Sequence, residues 1–353
     1  MTAGRANVIG TGLIGGSIGL ALRRLGVHVT GADADSSRAE RALTLGALDS
    51  VGVDPRADIT FVAVPVGAIP DSVRRALDET SGLVTDVGSV KGSITDAIDA
   101  PRFVGGHPMA GSEQDGVDGA DPDLFEGAVW VLTPTPTTDD GAFASVRSIV
   151  SSLGADVVAL SPERHDALVA VVSHVPHLTA ATLMHLADER AEEHRALLRL
   201  AAGGFRDMTR IAAGHPGIWP DICSENRVAI VEMLDRLIAG LTDMRVAVDK
   251  SDRDTLLAVL ERAHTARRNL PARVAQPDEL CEVRVPVLDR AGVLADVTTL
   301  AAELDVSIAD LEIAHSSEGD RGVLILLVPA DRAERMHGGL VARGYRPAVR
   351  TLQ

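Results

Sequence analysis

The first 160 residues alternate short apolar runs with longer segments of helical periodicity. The apolar runs cover residues 8–9, 27–32, 58–65, 82–87, 103–106, 128–132 and 156–160, and the helical segments cover 13–25, 36–45, 66–78 and 139–153. An apolar run without polar alternation is typical of a strand covered on both faces in a parallel sheet. The pattern predicts an α/β, doubly wound sheet over residues 1–161, with ligands bound beyond the carboxyl ends of its strands.

The pattern changes at residue 161, after which strand signals disappear. Ser161-Pro162-Glu163 has the form of an N-cap, a first-turn proline and a first-turn acid. Helical periodicity follows over 166–188, 192–202, 220–248 and 252–269. We therefore expect an all-helical domain over 162–271, and a linker over 271–278.

A third pattern occupies residues 280–353. Strand-like segments at 282–288, 307–315, 323–328 and 347–352 enclose helical segments at 293–304 and 332–343. The order βαββαβ is the ferredoxin-like arrangement. Three domains also suit a chain of 353 residues, which is too long for one ordinary core.

The glycine-rich turn Gly10-Thr11-Gly12-Leu13-Ile14-Gly15 joins the first predicted strand to the first helix. Gly10 suits a tight turn, Gly12 leaves the backbone bare for a pyrophosphate at the helix N-terminus, and Gly15 allows close packing of helix and strand. Asp33 lies 23 residues after Gly10, where a dinucleotide-binding fold places a ribose-binding acid. A carboxylate there favours NAD and repels the 2′-phosphate of NADP, so we predict a Rossmann-type domain that binds NAD.

Charge and composition exclude several classes of function. The 34 basic and 50 acidic residues give a net charge of −16, which argues against nucleic acid and anionic membranes as partners. Cys223 and Cys281 have no metal-ligand spacing and imply no disulfide framework, so no metal is expected. No signal-like start and no apolar run of membrane-spanning length are visible, so we expect a cytoplasmic protein.

Three polar residues follow predicted strands of the sheet. His107 comes directly after a strand and before a proline, so it is either a base or hydrogen-bond acceptor in the cofactor cleft or a loop histidine that caps a turn. Ser89 either donates to His107 or to a substrate, or caps the next helix. Lys91 either lies near an anionic group or is a solvated first-turn lysine.

The segment 203–210 interrupts the helical domain with two glycines and two arginines. A guanidinium binds a carboxylate through two parallel hydrogen bonds, so Arg206 or Arg210 could reach the cleft, with Asp207 orienting one of them. Ordinary surface ion pairs are the alternative. His174 and His177 lie on the first long helix, where core or surface roles are the usual ones.

Five motifs together resemble the prephenate dehydrogenases, the TyrA-type enzymes of tyrosine biosynthesis. They are GTGLIGGSIG at 10–19, DVGSVKG at 86–92, GGHPMAGSE at 105–113, SHVPH at 173–177 and FRDMTRIAAGHPGIWPDICSEN at 205–226. The resemblance implies NAD-dependent oxidative decarboxylation of a cyclohexadienol, which becomes aromatic.

The resemblance also implies roles for particular residues. His107 would polarise the ring hydroxyl with support from Ser89, Arg210 would hold a substrate carboxylate, and Glu113 and Asp207 would form a charged gate with Arg210. The remaining implied residues line the substrate pocket or bind the cofactor: His177, Ser112 and Trp219 for the pocket, and Gly10, Gly12, Leu13, Ile14, Gly15, Asp33, Val64 and Pro65 for NAD.

The same resemblance gives the other two domains their expected roles. The helical domain would form a homodimer, and residues 280–353 would form an ACT domain that binds an amino-acid effector, expected to be tyrosine. Its effector residues would be Asp289, Gly292 and Leu294, and Ala291 stands where many relatives have proline. Alternatives are an arogenate dehydrogenase, a β-hydroxyacid dehydrogenase, which the motifs at 105–113 and 205–210 do not suit, and a non-catalytic metabolite sensor.

Overall fold

A computed structural model describes residues 4–112, 114, 116–191, 201–269, 280–288, 292–315 and 321–351. The chain divides into two compact units, Met1–Val246 and Ala247–Gln353. The first unit therefore contains the predicted sheet domain together with most of the predicted helical domain. The predicted linker at 271–278 lies outside the described residues.

An eight-stranded sheet forms the centre of the first unit. The strands are β1 Arg5–Ile9, β2 His28–Ala32, β3 Ser50–Val51, β4 Ile59–Val62, β5 Leu83–Asp86, β6 Phe103–Pro108, β7 Val129–Thr133 and β8 Asp156–Ala159. Its helices are α1 Leu13–Arg24, α2 Ser36–Thr44, α3 Ile69–Glu79, α4 Gly92–Ala97 and α5 Asp140–Ser152. The short strand β3 has no counterpart in the sequence pattern, whereas α4 is the helix expected after Lys91.

The strand order β3-β2-β1-β4-β5-β6-β7-β8 places the first reversal of winding between β1 and β4. Ligands of doubly wound sheets bind at such a reversal, beyond the carboxyl ends of the strands. All pairs from β3 to β6 are parallel, whereas β7 runs antiparallel to β6. A parallel neighbour requires a crossover, usually a helix. In the described part of the segment between β6 and β7 only a short 3₁₀ turn, Val117–Gly119, is present.

The helical part of the first unit begins with one long helix that changes its winding midway. α6 Pro162–Val169 continues through a π-helical turn at Ala170–His174 into α7 Val175–Ala191. Pro176 has no N–H, and its ring would collide with the carbonyl four residues earlier, which explains why regular α-helical bonding fails here. The wider turn changes the direction in which His174 and the residues after it project.

By length and composition, Pro162–Glu189 is also apolar enough to cross a membrane. The expectation that no segment approaches this length is therefore wrong in that respect. A single such helix is weak evidence of a span, because core helices of soluble proteins have the same composition. Buried His165 and His174 on this helix form hydrogen bonds with the rest of the first unit.

The predicted helix over 220–248 is in fact two helices. The elements after α7 are α8 Gly203–Thr209, a 3₁₀ segment Arg210–Ala213, α9 Trp219–Glu225 and α10 Arg227–Asp249. The break falls at Asn226, whose buried side chain donates to the carbonyl of Asp166 at 2.9 Å. The predicted helix over 192–202 lies almost wholly outside the described residues.

The second unit contains α11 Arg253–Arg268 and a four-stranded antiparallel sheet. Its further elements are β9 Leu280–Leu288, α12 Val293–Glu303, β10 Asp310–His315, β11 Arg321–Pro329, α13 Ala333–Ala342 and β12 Ala348–Thr351. The strand order is β10-β11-β9-β12. Alternate residues of β9, such as Val283 and Val285, pack with Val297 and Leu300 of α12 into a separate core.

Candidate active site

The glycine-rich turn after β1 has the form that the sequence predicts. Gly10 has φ +91°, and a side chain on it would collide with the carbonyl of Ala63, while one on Gly15 would collide with the carbonyl of Gly10. Nothing lies within 4 Å of the position that a side chain on Gly12 would occupy. The first turn of α1 carries no acid and no side-chain cap. Its N–H groups are therefore available to an anion that approaches over Gly12.

Asp33, at the end of β2, faces this turn. One carboxylate oxygen accepts the N–H of Thr11 at 2.7 Å, and the other accepts the N–H of Asp35 at 3.0 Å. These bonds fix the carboxylate beside the loop while leaving acceptor capacity for two ribose hydroxyls. Leu13, Ile14 and Val64 are half-buried, and Pro65 is exposed.

His107 is buried at the carboxyl end of β6 and belongs to a chain of hydrogen bonds. Its Nδ1 lies 2.8 Å from Nε2 of His165, and Nδ1 of His165 lies 2.8 Å from Oδ1 of Asp166. Burial lowers the pKa of His107 well below its usual value, and neighbouring His165, Lys91 and His174 lower it further. The ring is therefore neutral at pH 7, and its Nε2 has no hydrogen-bond partner among the described residues.

Lys91 is fully buried and forms an ion pair with buried Asp86 at the end of β5. The interpretation as a solvated lysine is therefore wrong. Asp86 also accepts the N–H of Gly88 at 2.9 Å and the N–H of Gly106 at 3.1 Å. Since Gly106 directly precedes His107, this carboxylate ties the ion pair to the strand that carries the imidazole.

A second buried group joins the π-helical turn to the break at Asn226. The side-chain N–H₂ of Asn226 lies 3.2 Å from Nδ1 of His174, whose Nε2 is buried without a partner in the described part of the chain. Burial lowers the pKa of His174 to about 4. Its ring meets that of Trp219 edge to face.

His177 and Trp219, both expected in the substrate pocket, lie together. Their rings stack with centroids 3.6 Å apart and planes 14° from parallel. Gly214 lies beside His177, so the segment after Arg210 packs against this pair. Arg206, Asp207 and Arg210 are exposed on α8 and the 3₁₀ segment that follows it.

The other expected residues have simpler surroundings. Ser89 is half-buried after β5 and makes no hydrogen bond to His107 in the described structure, where Nδ1 of His107 is engaged by His165. Ser112 is exposed and accepts the N–H of Gln114 at 3.1 Å. Glu113 lies outside the described residues.

Two family models match consecutive parts of the chain. Residues 18–159 match the family model of the prephenate dehydrogenase nucleotide-binding domain, and residues 161–262 match that of the prephenate dehydrogenase dimerization domain. The prephenate dehydrogenase of Bacillus subtilis is 35% identical over 340 residues, which are 91% of each chain. The chain belongs to the prephenate dehydrogenase family.

Two solved structures of this family are similar to the chain. Prephenate dehydrogenase from Aquifex aeolicus, in complex with hydroxyphenyl propionate and NAD+, is 29% identical with a TM-score of 0.72, over 77% of this chain and 99% of that one. Synechocystis arogenate dehydrogenase is 31% identical with a TM-score of 0.64, over 74% and 98% of the two chains.

Three residues of the site in this prephenate dehydrogenase family member were not predicted from the sequence: His165, Asp166 and Asn226. His165 and Asp166 follow one residue after the Ser161-Pro162-Glu163 cap, so an adjacent His-Asp pair in the first turns of the second domain was a usable signal. Asn226 had no such signal, because it stood inside a pattern that reads as one continuous helix.

Proposed function

We propose that the protein is an NAD-dependent prephenate dehydrogenase, which converts prephenate to 4-hydroxyphenylpyruvate by oxidative decarboxylation in tyrosine biosynthesis. The observation that carries the proposal is the buried, neutral His107 at the end of β6, in a fold whose glycine-rich turn leaves open space at Gly12. Family membership supports the same reaction.

The cofactor is NAD, which supplies an acceptor for the hydride when it is bound. The described residues fit it, because the α1 N-terminus is open at Gly12 and Asp33 stands where the adenosine ribose is expected. Gly10 and Gly15 shape the turn, and Leu13, Ile14, Val64 and Pro65 line the crevice. Asp33 disfavours a 2′-phosphate by charge repulsion.

His107 is the group that takes the hydroxyl proton of the substrate. As the O–H bond breaks, its electron pair forms the carbonyl while hydride leaves the same carbon. The ring carboxylate then leaves as carbon dioxide, its bonding pair aromatises the ring, and the proton returns from His107 to the phenolate oxygen. Aromatisation supplies driving force, so the protein mainly orients the ring and accepts one proton.

The substrate carries two carboxylates into a protein of net charge −16, so binding requires a local cation. Arg210 is proposed to bind one carboxylate through its guanidinium, with His177 and the stacked Trp219 against the ring. Asp207 and Glu113 are proposed as a charged gate beside Arg210, Ser112 as a pocket residue, and Ser89 as a contact at the nicotinamide end.

The test is NADH formation, followed by absorbance, with prephenate and with arogenate as separate substrates. We expect turnover with prephenate, and His107→Asn should lower kcat by about 10²–10⁴-fold with little change in the Kd of NAD. Absence of NADH formation with either substrate would refute the enzyme assignment and leave the metabolite sensor. Preferred turnover of arogenate would select the second candidate, which the Synechocystis structure favours.

A homodimer is proposed for the helical part of the chain. Val231, Ile238 and Leu241 are exposed on α10 at heptad-like spacing. The second family model is that of a dimerization domain. Ile238→Asp should shift the species seen in sedimentation velocity from dimer to monomer, and an unchanged dimer would place the interface elsewhere.

For residues 280–353 of the second unit we propose an ACT-type regulatory domain that binds tyrosine, in a cytoplasmic enzyme. The element order β-α-β-β-α-β and the antiparallel sheet support a ferredoxin-like module. Gly292 has φ +93° directly before α12, and Leu294 is exposed in its first turn. Asp289 lies outside the described residues. Excess tyrosine should change activity or the thermal midpoint, and no effect on either would make the module purely structural.

A further inference from the structure

We propose that His165 and Asp166 are positioning residues that fix the tautomer of His107, so that Nε2 of His107 carries the lone pair that accepts the substrate proton. The inference deepens the proposed function and rests on it for the identity of that proton. It rests on the chain of hydrogen bonds that joins the end of β6 to the first turns of α6.

The direction of the chain follows from its far end. Oxygens of Asp166 accept the backbone N–H of Lys91 and of Gly92, each at 2.8 Å, so this side chain acts as an ionised acceptor at the start of α4. Its contact with Nδ1 of His165 therefore requires a proton on that nitrogen. A neutral His165 then has a lone pair on Nε2, which is the acceptor for Nδ1–H of His107. The remaining nitrogen of His107, Nε2, is unprotonated.

A doubly protonated His165 would reverse this result, because it would donate to Nδ1 of His107 and leave a proton on Nε2. The surroundings oppose that state. The side chain of His165 is fully buried in the same cluster as the cation of Lys91, and its carboxylate partner Asp166 already accepts the backbone N–H groups of Lys91 and Gly92, so that carboxylate does not need a second cation. A second buried cation beside Lys91 would be costly.

The tautomer determines whether His107 can accept the substrate proton. With the proton on Nε2, the imidazole could donate to the substrate hydroxyl but could not receive its proton. Where a buried carboxylate fixes the tautomer of a catalytic histidine in serine proteases, its loss lowers kcat by about 10⁴-fold. Here the carboxylate acts through a second imidazole, and the acceptor that touches His107 is His165.

Two substitutions of His165 separate its chemical role from its packing. His165→Gln retains an amide oxygen that can accept from Nδ1–H of His107, whereas His165→Met fills a similar volume without a comparable acceptor. We expect kcat to fall by about 10²-fold in His165→Met and by less than about tenfold in His165→Gln. The KM of the substrate and the Kd of NAD should stay within about threefold. A substitution of Asp166 would not separate the two roles, because Asp166 also caps α4.

His185→Gln is the matched control, because His185 lies exposed on α7 and pairs only with Glu189 among the described residues. Equal kcat values in wild type and His165→Met would overturn the proposal. Equal losses of kcat in His165→Met and His165→Gln, with lowered thermal midpoints in both, would do the same by assigning His165 a structural role.

A spectroscopic measurement decides the tautomer without any turnover. The protein is labelled with ¹⁵N-histidine, and the His107 signals are assigned by their loss in His107→Asn. The NMR chemical shifts of the two ring nitrogens should then show a proton on Nδ1 and none on Nε2 at pH 7. A proton on Nε2 in wild type would overturn the proposal even if prephenate is turned over. Failure of both substrates would refute the proposed function and leave this measurement as the test of the tautomer.

Discussion

Breaking the buried ion pair between Lys91 and Asp86 should destabilise the first unit. Both side chains are fully buried, and the stem of Lys91 packs beside Gly105. Lys91→Met keeps an apolar chain of similar length but leaves a buried carboxylate without its cation. Breaking such a pair costs about 3–5 kcal/mol.

The lower end of that range is expected here, because Asp86 keeps the N–H groups of Gly88 and Gly106 as donors. A loss of about 3 kcal/mol corresponds to a thermal midpoint about 6–12 °C lower for a unit of this size. The double variant Asp86→Asn/Lys91→Met removes both charges, so it should recover most of the loss.

Urea unfolding followed by tryptophan fluorescence is the appropriate assay. Both tryptophans, Trp130 and Trp219, lie in the first unit, so the signal reports that unit alone. Arg147→Met is the control: Arg147 is an exposed cation on α5 of the same unit and should change the free energy of unfolding by less than about 0.5 kcal/mol. A Lys91→Met variant within about 1 kcal/mol of wild type, or a double variant no more stable than Lys91→Met, would refute this reasoning.

Three further predictions concern binding and pH. Gly12→Ala should leave the free energy of unfolding unchanged, because its new methyl group meets open space. It should nevertheless weaken NAD binding by about tenfold or more, because hydrogen bonds to the pyrophosphate are lost. Gly338→Ala, with equally open surroundings on α13, is the control, and the Kd of NAD is measured by calorimetry. Arg210→Ala should raise the KM of the substrate far more than the Kd of NAD, and equal losses in both would remove Arg210 from substrate binding. Because the pKa of His174 is about 4 in the fold against an ordinary 6.5, the unfolded chain binds more protons between these values. The contribution of neutral His174 to the free energy of unfolding should therefore be complete above pH 6.5 and decrease as the pH is lowered towards 4. His174→Gln should flatten that fall, and an unchanged slope in urea midpoints would contradict the shift.

Local pattern was sufficient for most elements of the fold. The apolar run at 58–65 became β4, and the glycine-rich turn adopted the predicted form because only glycine tolerates the contacts at Gly10 and Gly15. These features depend on neighbours in sequence or on backbone sterics. The antiparallel β7 and the break at Asn226 depend on partners that are distant along the chain, so periodicity alone did not show them.

The sequence by itself determined the cofactor crevice, the imidazole at the end of the β6 strand and the arginine-bearing segment at 203–210. Each of these features depends on a short sequence motif with a defined spacing. Only the tertiary structure decided what surrounds them. It buried Lys91 against Asp86, stacked Trp219 on His177, and connected His107 through His165 to Asp166, 59 residues further along the chain. Such contacts arise because the carboxyl end of β6 and the N-terminus of α6 meet in space, and most polar groups that become buried are hydrogen-bonded.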